Sequence, residues 1–280
     1  MPRFMKERRK RKMAVIDCNI FAASLRLKTD VKVILPFYPT DDVANGKRED
    51  IFPTGKKYQV LWLLHGGNGN DCDYVNYTNI VRYANEHMLA VVMPCGYNMN
   101  TDDQDPGMKM CTYVAEELPN FLRNVFPLSE KREDNFIGGL SMGSNGAQKV
   151  AIRYPENYSA VLAMSAGSFF PIPKKPDGKP MRTFNTGMPM PPHKPNEMEE
   201  NCEILLKDIE EGKQLPKFFM IWGEKDIARL GQTNSVKFLE EHGVDVWSEE
   251  VPGLGHEWDL WDRTLKKAFE ELLPLKHDLV

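Results

Sequence analysis

Gly139-Leu140-Ser141-Met142-Gly143 sets a serine in a G-x-S-x-G pentapeptide. An apolar stretch leads into it and a segment of helical character follows. That context predicts a sharp strand-to-helix turn with the Ser141 hydroxyl exposed above a sheet. The flanking glycines are needed because a side chain there would clash with the crossing backbone. A serine hydroxyl is a weak nucleophile at neutral pH. Attack on a carbonyl carbon therefore requires a histidine base, an acid that orients it, and amide donors for the oxyanion.

The chain offers each of these. Phe218–Gly223 reads as an apolar strand running into a tight turn that carries Asp226, the predicted acid, with Glu224 in reserve. Pro252-Gly253-Leu254-Gly255-His256 lies between a last strand and a closing helix. Of the six histidines, only His256 follows both the serine and the acid on such a loop. The chain order Ser141, Asp226, His256 is the one expected when the serine sits on a strand-to-helix turn of an open α/β sheet. His65-Gly66-Gly67 ends a central strand, where a loop amide supplies half of an oxyanion hole. Gly67 is the predicted loop donor, with Gly66 beside it, and the Met142 amide is the second donor. His65 reads as an organiser of that loop rather than a base. Together these residues predict ester hydrolysis through an acyl-serine. Transfer of the acyl group to an alcohol acceptor is the rival that uses the same groups. A non-catalytic protein that kept the fold is disfavoured, because every expected group is present.

Elements that could position these residues follow in the pattern. Two stretches rich in β-branched and apolar residues, around 20–27 and 31–39, predict an opening antiparallel pair. Residues 58–64 form a continuous apolar run ending at glycines, the mark of a strand buried on both faces. Strands are also predicted at 89–94, 135–140, 160–164, 217–222 and 244–250. Helices are predicted at 76–87, 110–126, 142–153, 197–212 and 257–273. This alternation predicts an α/β fold with a mostly parallel, doubly wound sheet. Residues 168–196 break the rhythm with eight prolines. With the helix after them they predict a small substrate-facing cap over about 168–212. Its Met188 and Met190, with Phe184, are candidates for an adaptable acyl wall. Trp258 is a candidate substrate contact, although with Trp261 it reads more readily as packing that steadies His256.

At 280 residues the chain is long enough for one large core, and one domain over 13–280 is expected. Residues 1–12 hold seven Lys or Arg against one Glu and are read as a disordered basic tail. The whole chain carries −4, so the body behind that tail is acidic, a poor match for nucleic acid. No apolar run approaches the roughly 18 residues that cross a bilayer, and no membrane partner is expected. Five cysteines without a C-x-x-C pair argue against a disulfide framework or zinc site and for the cytoplasm. No metal or cofactor is expected. A homo-oligomer is compatible with the sequence.

Four segments carry a resemblance: YQVLWLLHGGNGN, VAEELPNFLRNVFP, FIGGLSMGSNGA and GHEWDLWD. In this order and spacing they resemble the esterase D branch of the α/β-hydrolases, most nearly its tributyrin esterase type. The resemblance covers nearly everything from Met13 onward. It implies an α/β-hydrolase acting on small-molecule or carbohydrate esters, with short-chain acyl esterases, S-formylglutathione hydrolases and acetylxylan or feruloyl esterases as its range. One departure is Ser144, where the family commonly has a second glycine after the serine–methionine–glycine triplet. It bears on specificity rather than on the nucleophile.

Overall fold

Strands with no polar face need cover on both sides, and that requirement organises the chain. In the computed structural model, which describes residues 12–37, 54–98, 101–103, 107–171 and 197–280, eight strands form one sheet. They are β1 (Lys12–Ala22), β2 (Leu27–Phe37), β3 (Gln59–Leu64), β4 (Leu89–Pro94), β5 (Asn135–Leu140), β6 (Ala160–Met164), β7 (Lys217–Gly223) and β8 (Val246–Val251). Their order is β1-β2-β4-β3-β5-β6-β7-β8. The hairpin β1–β2 joins β4 antiparallel, and every pair from β4 to β8 is parallel. β3, β4, β5 and β6 are buried at every residue, as their unbroken apolar runs require.

Helices cover both faces. Side chains alternate along β3, so Val60, Trp62 and Leu64 point to one layer and Leu61 and Leu63 to the other. The first layer holds α3 (Met110–Thr112) and α4 (Leu118–Val125), joined by a π-helical turn over Tyr113–Glu117. It also holds α5 (Met142–Arg153), α6 (Glu197–Glu210) and α7 (Arg229–Glu241). The second holds α1 (Asp73–Tyr77), α2 (Ile80–His87) and α8 (Trp258–Lys267), the last continued by a π-helical turn over Ala268–Leu272.

Three expectations need correction. The opening strands start earlier than predicted, because β1 is an edge strand that alternates exposed and half-buried residues and includes polar Asp17 and Asn19. The helix expected over 76–87 is two helices. The Thr78 hydroxyl donates to the Tyr74 carbonyl and accepts from the Ile80 amide, closing α1 and opening α2. Helix α7 was not predicted. The expected tail lies outside the described residues except for Lys12, which opens β1. Of the expected cap, residues 172–196 lie outside the described residues. α6, which follows them, opens at Glu197, whose carboxylate pairs with buried Lys149 on α5.

The parallel register sets the ends of the strands at a common edge. Leu64 pairs with Gly139, Leu140 with Met164, and Gly223 with Val251. The loops that leave these residues carry Gly67, Ser141, Ser165, Asp226 and His256.

Candidate active site

Ser141 sits between β5 and α5 with φ 52° and ψ −117°, a backbone conformation costly for any residue with a side chain. Close packing holds it there. A Cβ on Gly139 would collide with the Gly143 backbone, and one on Gly143 would collide with the Leu64 and His65 carbonyls. The helix start is thereby pressed onto β3. The Ser141 amide donates to the Met164 carbonyl at 2.8 Å, which ties the turn to β6 as well.

Three side chains from separate loops meet at this turn. His256 Nε2 lies 3.0 Å from Ser141 Oγ, and His256 Nδ1 lies 2.9 Å from Asp226 Oδ1. The Asp226 side chain is fully buried. Its Oδ1 also accepts from the Ala228 amide at 2.8 Å, and its Oδ2 accepts from the Ser165 hydroxyl at 2.5 Å. Burial alone pushes its pKa up. The hydrogen bonds from His256, Ser165 and Ala228 outweigh that and hold the carboxyl below its usual range. Asp226 is therefore ionised at neutral pH and accepts from the imidazole. Glu224, the reserve acid, is exposed and accepts from the Gly253 amide at 2.8 Å, so it braces the histidine loop instead.

The glycine loop after β3 is held from beneath by His65. Its Nε2 accepts from the Gly96 amide at 2.7 Å, so Nδ1 carries the proton and donates to the Gly66 carbonyl, also at 2.7 Å. Burial lowers the His65 pKa and keeps the ring neutral. One nitrogen is engaged by its own loop and the other by the loop after β4, as an organiser requires. Asn68 and Asn98 add a two-way clasp between this loop and the one after β4. A side chain on Gly66 would strike Leu140, whereas the space around Gly67 is open. Among the described residues, neither the Gly67 nor the Met142 amide has a hydrogen-bond partner. Such amides can receive a developing negative charge.

The other candidates fall elsewhere. Trp258 is half-buried in an aromatic stack, 4.9 Å from the Tyr77 ring and 5.0 Å from the Trp261 ring. Trp261 in turn meets the His256 ring edge-on at 5.1 Å. The observed contacts of Trp258 are packing contacts behind the histidine. Met188, Met190 and Phe184 lie outside the described residues. Ser144 is fully buried and its hydroxyl has no partner among the described residues. Sequence reasoning missed Ser165, which no spacing rule marks within Ser165-Ala166-Gly167-Ser168. Among the described residues, no cluster of three or more His, Cys, Asp or Glu could hold a metal ion. No described helix is long and apolar enough to cross a membrane.

Comparisons with known proteins find esterases and serine hydrolases. A family described as "Putative esterase" matches residues 48–272. An acetyl esterase of Caldicellulosiruptor saccharolyticus is 30% identical over 268 residues, covering 92% of this chain and 97% of the relative. Among solved structures, the fluorophosphonate-binding serine hydrolase F of Staphylococcus aureus is 26% identical with a TM-score of 0.74, covering 93% of this chain and 98% of the other. An S-formylglutathione hydrolase of the same organism is 27% identical with a TM-score of 0.72, covering 95% and 98%.

Proposed function

This chain belongs to the esterase family within the α/β-hydrolase superfamily and is a carboxylic ester hydrolase; from that premise we propose that it cleaves short-chain acyl esters through an acyl-serine intermediate. The observation that carries the mechanism is the unbroken chain Ser141–His256–Asp226, with separations of 3.0 and 2.9 Å. His256 takes the proton from Ser141 Oγ as the oxygen attacks the ester carbonyl. Asp226 holds the imidazole with Nδ1 protonated and stabilises its cation. The Gly67 and Met142 amides donate to the oxyanion, each worth about 3–4 kcal/mol in the transition state. His256 then returns the proton to the departing alcohol. Water attacks the acyl-serine with the same base and releases the acid.

The acetyl esterase relative supports a short acyl group, and the S-formylglutathione hydrolase keeps a thioester open as a second substrate. Assays with p-nitrophenyl acetate, butyrate and octanoate, beside S-formylglutathione, would rank these. Ser141→Ala should abolish hydrolysis of every substrate and leave the melting temperature unchanged. Retained turnover in that variant would refute the mechanism. Adding an alcohol acceptor and measuring ester formed against acid released tests transfer. All five cysteines are free, which fits the reducing cytoplasm proposed as its location.

A further inference from the structure

Asp226 faces His256 with one carboxylate oxygen, and its second oxygen is engaged as well. Ser165, the residue that leaves β6, is fully buried and donates from Oγ to Asp226 Oδ2 at 2.5 Å. The Trp261 indole N–H donates to the same Ser165 Oγ at 2.9 Å. An indole nitrogen only donates. The Ser165 oxygen therefore receives that proton, and its own hydroxyl proton must point at Asp226. Every hydrogen bond to Asp226 is thus of one polarity, toward the carboxylate.

The backbone at Ser165 points the same way. Its φ is +54°, a left-handed conformation that a serine adopts only against a cost. The Ser165 amide donates to the Ile221 carbonyl at 2.9 Å, which pins this conformation to β7, the strand that leads to Asp226. Trp261 reaches Ser165 from α8, just beyond the histidine loop, and its ring also meets the His256 edge. Three neighbouring carboxylates and one guanidinium are otherwise occupied, and Lys225 beside Asp226 is exposed. Glu224 and Glu257 accept from the Gly253 and Gly255 amides, and Arg229 pairs with Glu250.

We propose that Ser165 and Trp261 are positioning residues for the esterase reaction: the donor chain from indole to serine to Asp226 locks the carboxylate so that His256 keeps Nδ1 protonated and presents Nε2 to the Ser141 hydroxyl. This rests on the esterase reading above, but part of its test does not need turnover. Ser165→Ala removes the donor while the carboxylate and imidazole remain. Its kcat should fall about tenfold with KM within about twofold, because positioning acts in the transition state. With one donor fewer, the carboxylate attracts the imidazolium more strongly, so the acid limb of the kcat profile should move to higher pH. Trp261→Phe should give a smaller loss in the same direction. The double variant should match Ser165→Ala, because both act through one chain.

In the resting protein, the low-field proton resonance of His256 Nδ1–H should move further downfield in Ser165→Ala. Unchanged kcat and an unmoved resonance in a folded Ser165→Ala would overturn the proposal, as would additive losses in the double variant. If the wild type hydrolyses no ester, the esterase reading fails instead, and the resonance still decides what Ser165 does. Should Ser165→Ala fail to fold, Trp261→Phe carries the same two readouts.

Discussion

Asp226 and Glu224 stand two residues apart on one turn, yet only one meets the imidazole. The Asp226 amide donates to the Gly223 carbonyl at 3.0 Å, curling the chain so that position 226 faces inward and 224 faces solvent. The sequence placed both acids on this turn and ranked Asp226 first, with Glu224 in reserve. The curl of the turn, which selects between them, depends on the backbone meeting Leu254 above Gly223 and was not legible. Asp226→Asn should keep the fold and lower kcat by about 10⁴, since the amide favours the wrong imidazole tautomer. Glu224→Gln should change kcat little, and a larger loss there than in Asp226→Asn would reverse their roles. Steady-state kinetics on p-nitrophenyl acetate decides between them. Ser165 escaped notice for a related reason: its role comes from three elements converging on one oxygen, and no local pattern announces that.

At the scale of elements, the segment read most faithfully was β5–turn–α5, because its bounds are set by local rules. Apolar residues fill both faces of β5, and two glycines permit the crossing. Helix α7 was missed because only the second half of the face it buries, Val236 and Leu239, is apolar. Gly231, Gln232 and Ser235 are buried there, so the apolar periodicity that betrays an amphipathic helix is broken. Gly231 is small because the helix lies on the backbone of Gly167 and Ser168. The close packing of the serine turn is tested at Gly143. A methyl group there would meet the Leu64 and His65 carbonyls, so Gly143→Ala should destabilise the protein by about 1–3 kcal/mol. It should also shift the Met142 amide and lower kcat in whatever fraction folds. Urea denaturation measures the first effect and active-site titration of the soluble fraction the second. Unchanged stability would mean that α5 is not pressed onto β3 as described.

For the whole molecule, the site depends on the sheet as one piece, because Ser141 and His256 are 115 residues apart in sequence. The sequence made the order of strands and helices legible through alternation. It did not reveal that β2 lies against β4 rather than β3, since lateral order leaves no periodicity in the chain. A consequence of this shared architecture is that acid should weaken the fold and the site together, through two groups. Burial lowers the pKa of His65 in the folded protein. As pH falls below about 6.5, the value for an unconstrained histidine, the unfolded chain gains a proton that the folded one resists. Stability is then lost with falling pH until His65 itself protonates. Asp226, also depressed, behaves alike at lower pH. Its contribution is complete above about pH 4 and disappears as the pH drops through its folded value. Melting temperatures taken across pH 7.5 to 3 should therefore decline in two stages. His65→Gln lowers stability at neutral pH but removes the first titration, so its curve should fall less steeply than the wild type between about pH 6.5 and 5. Parallel curves in that window would show that the ring beneath the glycine loop takes up its proton as freely in the folded protein as outside it.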